Sequence, residues 1–349
     1  MSFRKFVKWK GFPAIYFALF LLSVFYVSLR TGQVVMECTD VKTTACLFFA
    51  QILFFAFFSA LIRRTVENSF VRKAARFGYT YFCFFLYFIF LLLCGDLLSL
   101  LLGGFGITAV WGNSFLWIAA LFIAIGITVC GRIHAKQFRH VIYTIPTVRL
   151  HSDIRIVLLS DLHMGLFIGK THIEKMVRRV NEIEPDFVVI AGDLFNNGSV
   201  EECADRKEVS GLLREIKTHY GVYAVLGNHD PSVNDSALQT FLKQSGIYLL
   251  NDECRRIGHI CLAGRRDGTE DFRARTPLTE ILTNPVKGQF FPVTFFTKIF
   301  QKPGHFYGHA QHGKTHSIIS AGAGYFQLPV RIGTDNEIVE IRLKTKTDG

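Results

Sequence analysis

Four long apolar runs near the start of the chain constrain its fold more than any other feature. Gly11 to Leu29 is 19 residues without a charge, enough at about 1.5 Å per residue to cross a hydrocarbon core of about 30 Å as a helix. Ala45 to Ile62, Phe77 to about Leu102 and Ser114 to Gly131 are three further runs. Residues 1–131 therefore read as a four-span, multi-pass membrane region. A cleaved signal peptide would have a shorter apolar core, roughly 7 to 15 residues, and a small-residue cleavage site. Phe25-Tyr26-Val27-Ser28-Leu29 supplies no such site, so the first run reads as an uncleaved anchor.

Lys and Arg in the short connections set the expected orientation. Arg4, Lys5, Lys8 and Lys10 precede the first run, Arg63, Arg64, Arg72, Lys73 and Arg76 separate the second and third, and Arg132, Lys136 and Arg139 follow the fourth. Only Arg30 and Lys42 fall on the other side. The richer side is assigned to the cytoplasm, which places both termini and the C-terminal half there. The third run holds one acid, Asp96. It sits near the far end, where interfacial water reaches it; the alternative is a functional intramembrane acid.

Charge divides the chain near residue 150. Residues 1–150 carry 15 Lys+Arg and 4 Asp+Glu, residues 151–349 carry 24 of each, and the net charge of +11 thus belongs wholly to the first part. The basic residues bracket apolar runs and form no patch with interleaved aromatics, which argues against a nucleic-acid partner. The eight cysteines include no Cys-x-x-Cys pair, and three (Cys203, Cys254, Cys261) lie in the second half. They read as reduced thiols, in keeping with a cytoplasmic domain.

After a basic, strand-like connection over 132–153, the pattern changes to alternating strand and helix. Ile154 to Leu159 is a continuous apolar run of buried-strand type. A helix is expected from Thr171, with Glu174 completing a capping box and Pro185 ending it. Strands Phe187 to Ala191 and Val222 to Leu226 follow, separated by a helix bearing Val209, Leu212, Leu213 and Ile216. Another helix (Leu238, Phe241, Leu242) leads to Ile247 to Leu250, and Ile260 to Ala263, Ser317 to Ser320 and Ile338 to Leu343 complete the strands. Strand and helix in alternation imply a parallel sheet.

Three strand ends carry unusual polar groups: Asp161-Leu162-His163, Gly192-Asp193, and Gly227-Asn228-His229-Asp230. Ligands bind at the carboxyl ends of strands in parallel α/β sheets. Asp161 and His163, two apart in extended chain, would point to one side and chelate one cation. Asp193 could bridge to a second cation, to which Asn228 offers a carboxamide oxygen. Carboxylate, imidazole and amide together suit Zn, Mn or Fe.

Asp-x-His, Gly-Asp and Gly-Asn-His-Asp in this order resemble the calcineurin-like metallophosphoesterases, over about residues 154–343. The resemblance implies an α/β/β/α sandwich holding two divalent metal ions, which hydrolyses phosphate mono- or diesters with a metal-bound hydroxide; given the anchor, a lipid head group is one candidate substrate. Carried over, Asp161 and His163 would hold the first metal, Asp193 would bridge and Asn228 would bind the second. His229 would stand over the substrate phosphate, stabilising charge or protonating the leaving oxygen, oriented by Asp230 or Asp161.

The family pattern continues with a later His and a Gly-His-x-His, and neither is present. Only 21 residues separate Asp267 from Gln289, too few for the expected helices and strands, so the domain 154–349 reads as incomplete near 268–288. His305, His309, His312 and His316 follow the Gly288-Gln289-Phe290-Phe291-Pro292 match and read as a polar loop; His259 reads as a surface residue. The second metal would be weakly held. The alternative function is a catalytically disabled isoform or pseudoenzyme acting as a membrane binding or scaffold protein.

Overall fold

The computed structural model describes residues 12–35, 41–62, 68–104, 113–147, 150–196, 198–258, 260–265, 289–294, 307–312, 315–326 and 328–345. It divides into two compact units, 1–130 and 131–349. In the first lie α1 (Phe12–Val35), α2 (Val41–Ile62), α3 (Ser69–Gly104) and most of α4 (Asn113–His134). All four are long and apolar enough to cross a membrane. At 36 residues α3 is about 54 Å long, more than a bilayer core needs; its first turns carry Arg72, Lys73 and Arg76. Aromatic edges knit the helices together, as in Phe20 on Phe55 at 5.1 Å and Phe88 on Trp117 at 5.5 Å between ring centres.

Arg30 is not in a connection. α1 continues to Val35, and the Arg30 side chain, 9% exposed, pairs with Asp96 of α3 at 2.8 Å. The Tyr26 hydroxyl donates to the other Asp96 oxygen at 2.6 Å. Asp96 is thus neither a lone solvated acid nor an unpartnered one.

The second unit is built on a six-stranded sheet of order β1-β11-β2-β3-β4-β5. Its strands are β1 (Phe138–Thr147), β2 (Ile154–Leu159), β3 (Phe187–Ala191), β4 (Val222–Val225), β5 (Ile247–Leu249) and β11 (Asn336–Thr345). β2 to β5 run parallel, whereas β11 is antiparallel to β2 and parallel to β1. The strand-like connection is therefore an edge strand, bonded to β11 from Phe138↔Asn336 to Thr147↔Thr345.

Alternation sends side chains to both faces of the sheet. Val157, Leu159, Val188, Ile190 and Ala224 pack with α5 (Lys170–Ile183), α6 (Arg206–Arg214) and α7 (Ser236–Ser245). Ile156, Leu158, Phe187, Val189 and Val225 face a second layer with Ile257, Ile260 and Leu262. That layer is the sheet β6-β7-β8, formed by β6 (Glu253–Ile257), β7 (Ile260–Arg265) and β8 (Gln289–Thr294). Among the described residues the layers are thus helix, sheet, sheet; no described helix follows Ser245 to make the fourth layer of an α/β/β/α sandwich. Residues 266–288 and His259, on which the expected gap and surface reading fall, lie outside the described residues.

Local differences have local causes. α5 is capped by Gly169 with no side-chain bond, so Thr171 and Glu174 form no capping box. Glu184, left-handed at φ 53°, ends it just before Pro185. The histidine segment is no loop: β9 (Gly308–His312) and β10 (Thr315–Ile319) make an antiparallel hairpin. Cys254 and Cys261 are joined by a disulfide across the β6–β7 hairpin, with Cα atoms 6.5 Å apart, where reduced thiols were expected. The hairpin register sets Cys254 opposite Ala263 and Cys261 opposite Arg256, a diagonal within disulfide reach.

Candidate metal centre

The site assembles where β2, β3 and β4 end. The hydrogen-bond ladder between β2 and β3 continues past the strands: Asp161 N–H donates to the Gly192 carbonyl, His163 N–H to Asp193 and Met164 N–H to Leu194, at 2.8 to 3.1 Å. The chain is not extended there. Asp161, His163 and Asp193 all have positive φ, at 51°, 47° and 54°, a region that non-glycine residues enter at a cost and that clusters at functional sites. Left-handed backbone, and not strand alternation, brings the Asp161 and His163 side chains together.

One ligand atom from each of Asp161, His163 and Asp193 falls within 4.8 Å of the others. Among the described residues no other cluster of three His, Cys, Asp or Glu does this. His163 Nε2 is 3.7 Å from Asp193 Oδ2 and 4.0 Å from Asp161 Oδ1, separations that fit around one ion with bonds of about 2.0–2.2 Å. The loop after β4 is held against the same carboxylate. His229 N–H donates to Asp193 Oδ1 at 3.1 Å, and a Cβ at Gly227 would land on the Asp193 side chain, so only glycine allows that approach. In this loop Asn228 Oδ1 is buried and accepts no hydrogen bond from a described residue. A buried acceptor without a donor is costly and asks for a ligand. These donors fit a divalent metal.

Burial, followed by the charge of His229, pushes the His163 imidazole down to about 4. His229 is lowered by burial, against the Asp161 carboxylate, which raises it. The His163 and His229 rings meet edge to face at 5.3 Å. Burial raises Asp230 to about 7, against hydrogen bonds that lower it. Its oxygens accept from the N–H groups of Phe195 and Gly227, each at 2.8 Å. Asp230 therefore ties the β3 and β4 loops together through the backbone, in place of the expected bond to the His229 ring.

Of the later histidines, His309 Nε2 lies 2.8 Å from His316 Nδ1 with the rings stacked, and Tyr143 of β1 is 5.6 Å from His309. His309 and His316 are not in the ligand cluster, and His305 lies outside the described residues. Gly322, Gly324 and Phe326 lie against the site and were not singled out from the sequence. Gly322, at φ 94°, abuts the Asp161 side chain, and the Phe326 ring lies 5.0 Å from His163 and 4.4 Å from His229. Ala321-Gly322-Ala323-Gly324 between two strands was the available sign of a close backbone approach.

Residues 154–314 match the family described as calcineurin-like phosphoesterase. An "Uncharacterized metallophosphoesterase" of Helicobacter pylori is 28% identical over 234 residues, covering 57% of this chain and 62% of that protein. A Danio rerio protein named "Transmembrane protein with metallophosphoesterase domain" is 26% identical over 285 residues, covering 65% of this chain and 62% of that protein. Its Bos taurus namesake is 26% identical over 279 residues, 64% and 62%. The chain thus spans about three fifths of the length of these curated relatives. The donors at the ends of β2, β3 and β4 fall within the stretch 154–314 that matches the calcineurin-like phosphoesterase family, and four helices long and apolar enough to cross a membrane precede that stretch in the chain.

Proposed function

We propose that the chain is a membrane-anchored phosphoesterase that hydrolyses phosphate mono- or diesters with two divalent metal ions. Family membership supports phosphoesterase activity in general; the observation that carries the finer reading is the Asp161, His163, Asp193 cluster beside the buried, unpartnered Asn228 oxygen. Asp161 and His163 would hold the first ion, Asp193 would face both and Asn228 would take the second. Bound metals of this kind acidify water and neutralise charge on a phosphoryl group. His229, half-buried with its ring against those of His163 and Phe326, would donate to a phosphate oxygen or to the departing alcohol. Asp230 positions the loops that carry Asp193 and Asn228.

The excess of Lys and Arg around the spans supports a cytoplasmic domain with both termini on that side. Mn- or Zn-loaded full-length protein should turn over bis-p-nitrophenyl phosphate, and Asp161→Asn should abolish the turnover. Unchanged turnover in that variant would sink the reading. A second reading, a binding or scaffold protein with a disabled site, is favoured by one observation: the chain has no Gly-His-x-His to fill the second shell. Elemental analysis separates the two, since two ions per chain fit an enzyme and one or none fits the disabled form.

A further inference from the structure

Ser320-Ala321-Gly322-Ala323-Gly324 follows β10 and carries no side chain larger than a hydroxymethyl group. Its backbone can therefore lie flat against the end of β2. A Cβ on Gly322 would come within 2.9 Å of the Asp161 Cβ, and one on Gly324 would land on the carbonyl oxygens of Leu162 and Asp161. The Ala323 N–H donates to the Ser160 carbonyl at 2.8 Å, and His172 Nε2 donates to the Ala323 carbonyl at 2.9 Å. A loop of such small residues has few side-chain contacts to hold it, so whatever fixes its backbone bears directly on the Asp161 side chain.

Two residues fix it, each through different groups of its peptides. Glu337 of β11 is buried; its Oε1 accepts the Ala321 N–H at 2.6 Å, and its own N–H donates to the Gly322 carbonyl at 2.9 Å. The Tyr307 hydroxyl donates to the other Glu337 oxygen at 2.7 Å. Arg331 takes the carbonyl side. Its Nη2 donates to Ala321 at 2.6 Å and its Nη1 to Gly322 at 3.4 Å. Burial lowers the pKa of this guanidinium and the Asp161 carboxylate raises it, so the cation stands within electrostatic reach of a candidate ligand.

We infer that Arg331 is a positioning residue of the metal centre: by clamping the Ala321 and Gly322 carbonyls it holds the loop against Asp161, and so keeps that carboxylate where the first metal needs it. This rests on the metal-site reading and adds to it a residue outside the ligand set. The sign of the effect separates a clamp from a charge. A cation near the centre repels a divalent metal, so if charge were its whole effect, removing it would tighten metal binding. A clamp predicts the opposite, because loss of a group that orients a metal ligand costs about 10–100-fold in affinity.

The test titrates metal-stripped full-length protein in dodecyl maltoside with Mn and follows free Mn by electron paramagnetic resonance, a readout that needs no turnover. Arg331→Met keeps the length of the side chain and loses its donors. It should raise the Kd of the tighter site about tenfold or more while keeping the circular dichroism of the parent. Arg331→Lys, which retains the charge and a donor, should stay within about threefold. Gly322→Ala leaves Arg331 in place but sets a methyl group against Asp161, and should weaken the same site. Mn held by Arg331→Met as tightly as by the parent, or more tightly, overturns the clamp. An Arg331→Met chain that loses its fold overturns it too, if Gly322→Ala then binds Mn like the parent. A parent that binds no Mn overturns the metal reading and this inference together. A parent that binds Mn but does not hydrolyse bis-p-nitrophenyl phosphate overturns the phosphoesterase reading alone, and the Kd values still decide the clamp.

Discussion

The backbone N–H of His229 donates to Oδ1 of Asp193 at 3.1 Å, joining the loop after β4 to the carboxylate expected to bridge two metals. On the proposed two-metal reading one side chain would carry two duties, and a substitution can divide them. In Asp193→Asn the amide oxygen still accepts from His229, so the loop should keep its place while the charge is lost. The variant should melt within a few degrees of the parent yet lose at least one metal per chain. Elemental analysis beside a melting curve checks this; a large fall in Tm with metal retained would contradict it.

His163 gives the metal-free protein a pH dependence of known sign. Its imidazole is held at about 4 against 6.5 when unfolded, chiefly by burial. Below pH 6.5 the unfolded chain takes up a proton that the folded chain refuses, so stability is complete above 6.5 and falls as pH drops from 6.5 towards 4. Asp230, raised to about 7, acts in the opposite sense over the same window, so the His163 contribution is read as a difference. After division by the intrinsic rates, hydrogen exchange at the β2 and β3 amides of metal-stripped parent should gain on that of His163→Gln from pH 7 to pH 5.

The Arg30–Asp96 pair predicts an asymmetry. Arg30 is 9% exposed at its side chain and Asp96 is 38%, and Asp96 keeps the Tyr26 hydroxyl if Arg30 is lost. Asp96→Ala strands a buried cation and should cost about 3–5 kcal/mol. Arg30→Ala should cost less, and the double variant should recover much of the loss. Thermal unfolding of the four variants in detergent measures the coupling.

Cys254 and Cys261 report which side of the membrane the domain faces. Their hairpin geometry allows a disulfide, and the compartment decides whether the bond persists. With the domain in the cytoplasm, both thiols should be reduced in intact cells and react with maleimide after lysis in denaturant. A maleimide-resistant pair that reacts only after reduction would reverse the proposed orientation.

Most of the sheet was legible because β2, β3 and β4 are short apolar runs bounded by polar loops, a pattern buried parallel strands require. The ligand cluster was legible for the same reason: Asp161, His163 and Asp193 interrupt apolar sequence where such strands stop. Their left-handed backbone was not, since φ follows from the ladder that crosses from Asp161 to Gly192, and no local pattern encodes a contact between distant loops. Arg30 was misplaced because a charge at the edge of an apolar run marks a helix end unless a partner waits on another helix, as Asp96 does. β9 was missed because Gly308-His309-Ala310-Gln311-His312 is polar, and only its pairing with β10 makes it a strand. Asp230 looked catalytic from its place in the motif, whereas its oxygens are taken up by two backbone N–H groups.

β1 carries one last consequence, for how this gene could be cut and recombined. The hydropathy boundary near residue 150 separates greasy sequence from balanced sequence, yet ten residues before it supply the outer rail of the six-stranded sheet. A shorter chain starting at 150 would bare the whole edge of β11, the kind of open ladder that recruits stray strands and precipitates. The apolar helices and the α/β domain are therefore not interchangeable modules: a fusion or exchange of membrane parts preserves the fold only if its join lies upstream of Phe138.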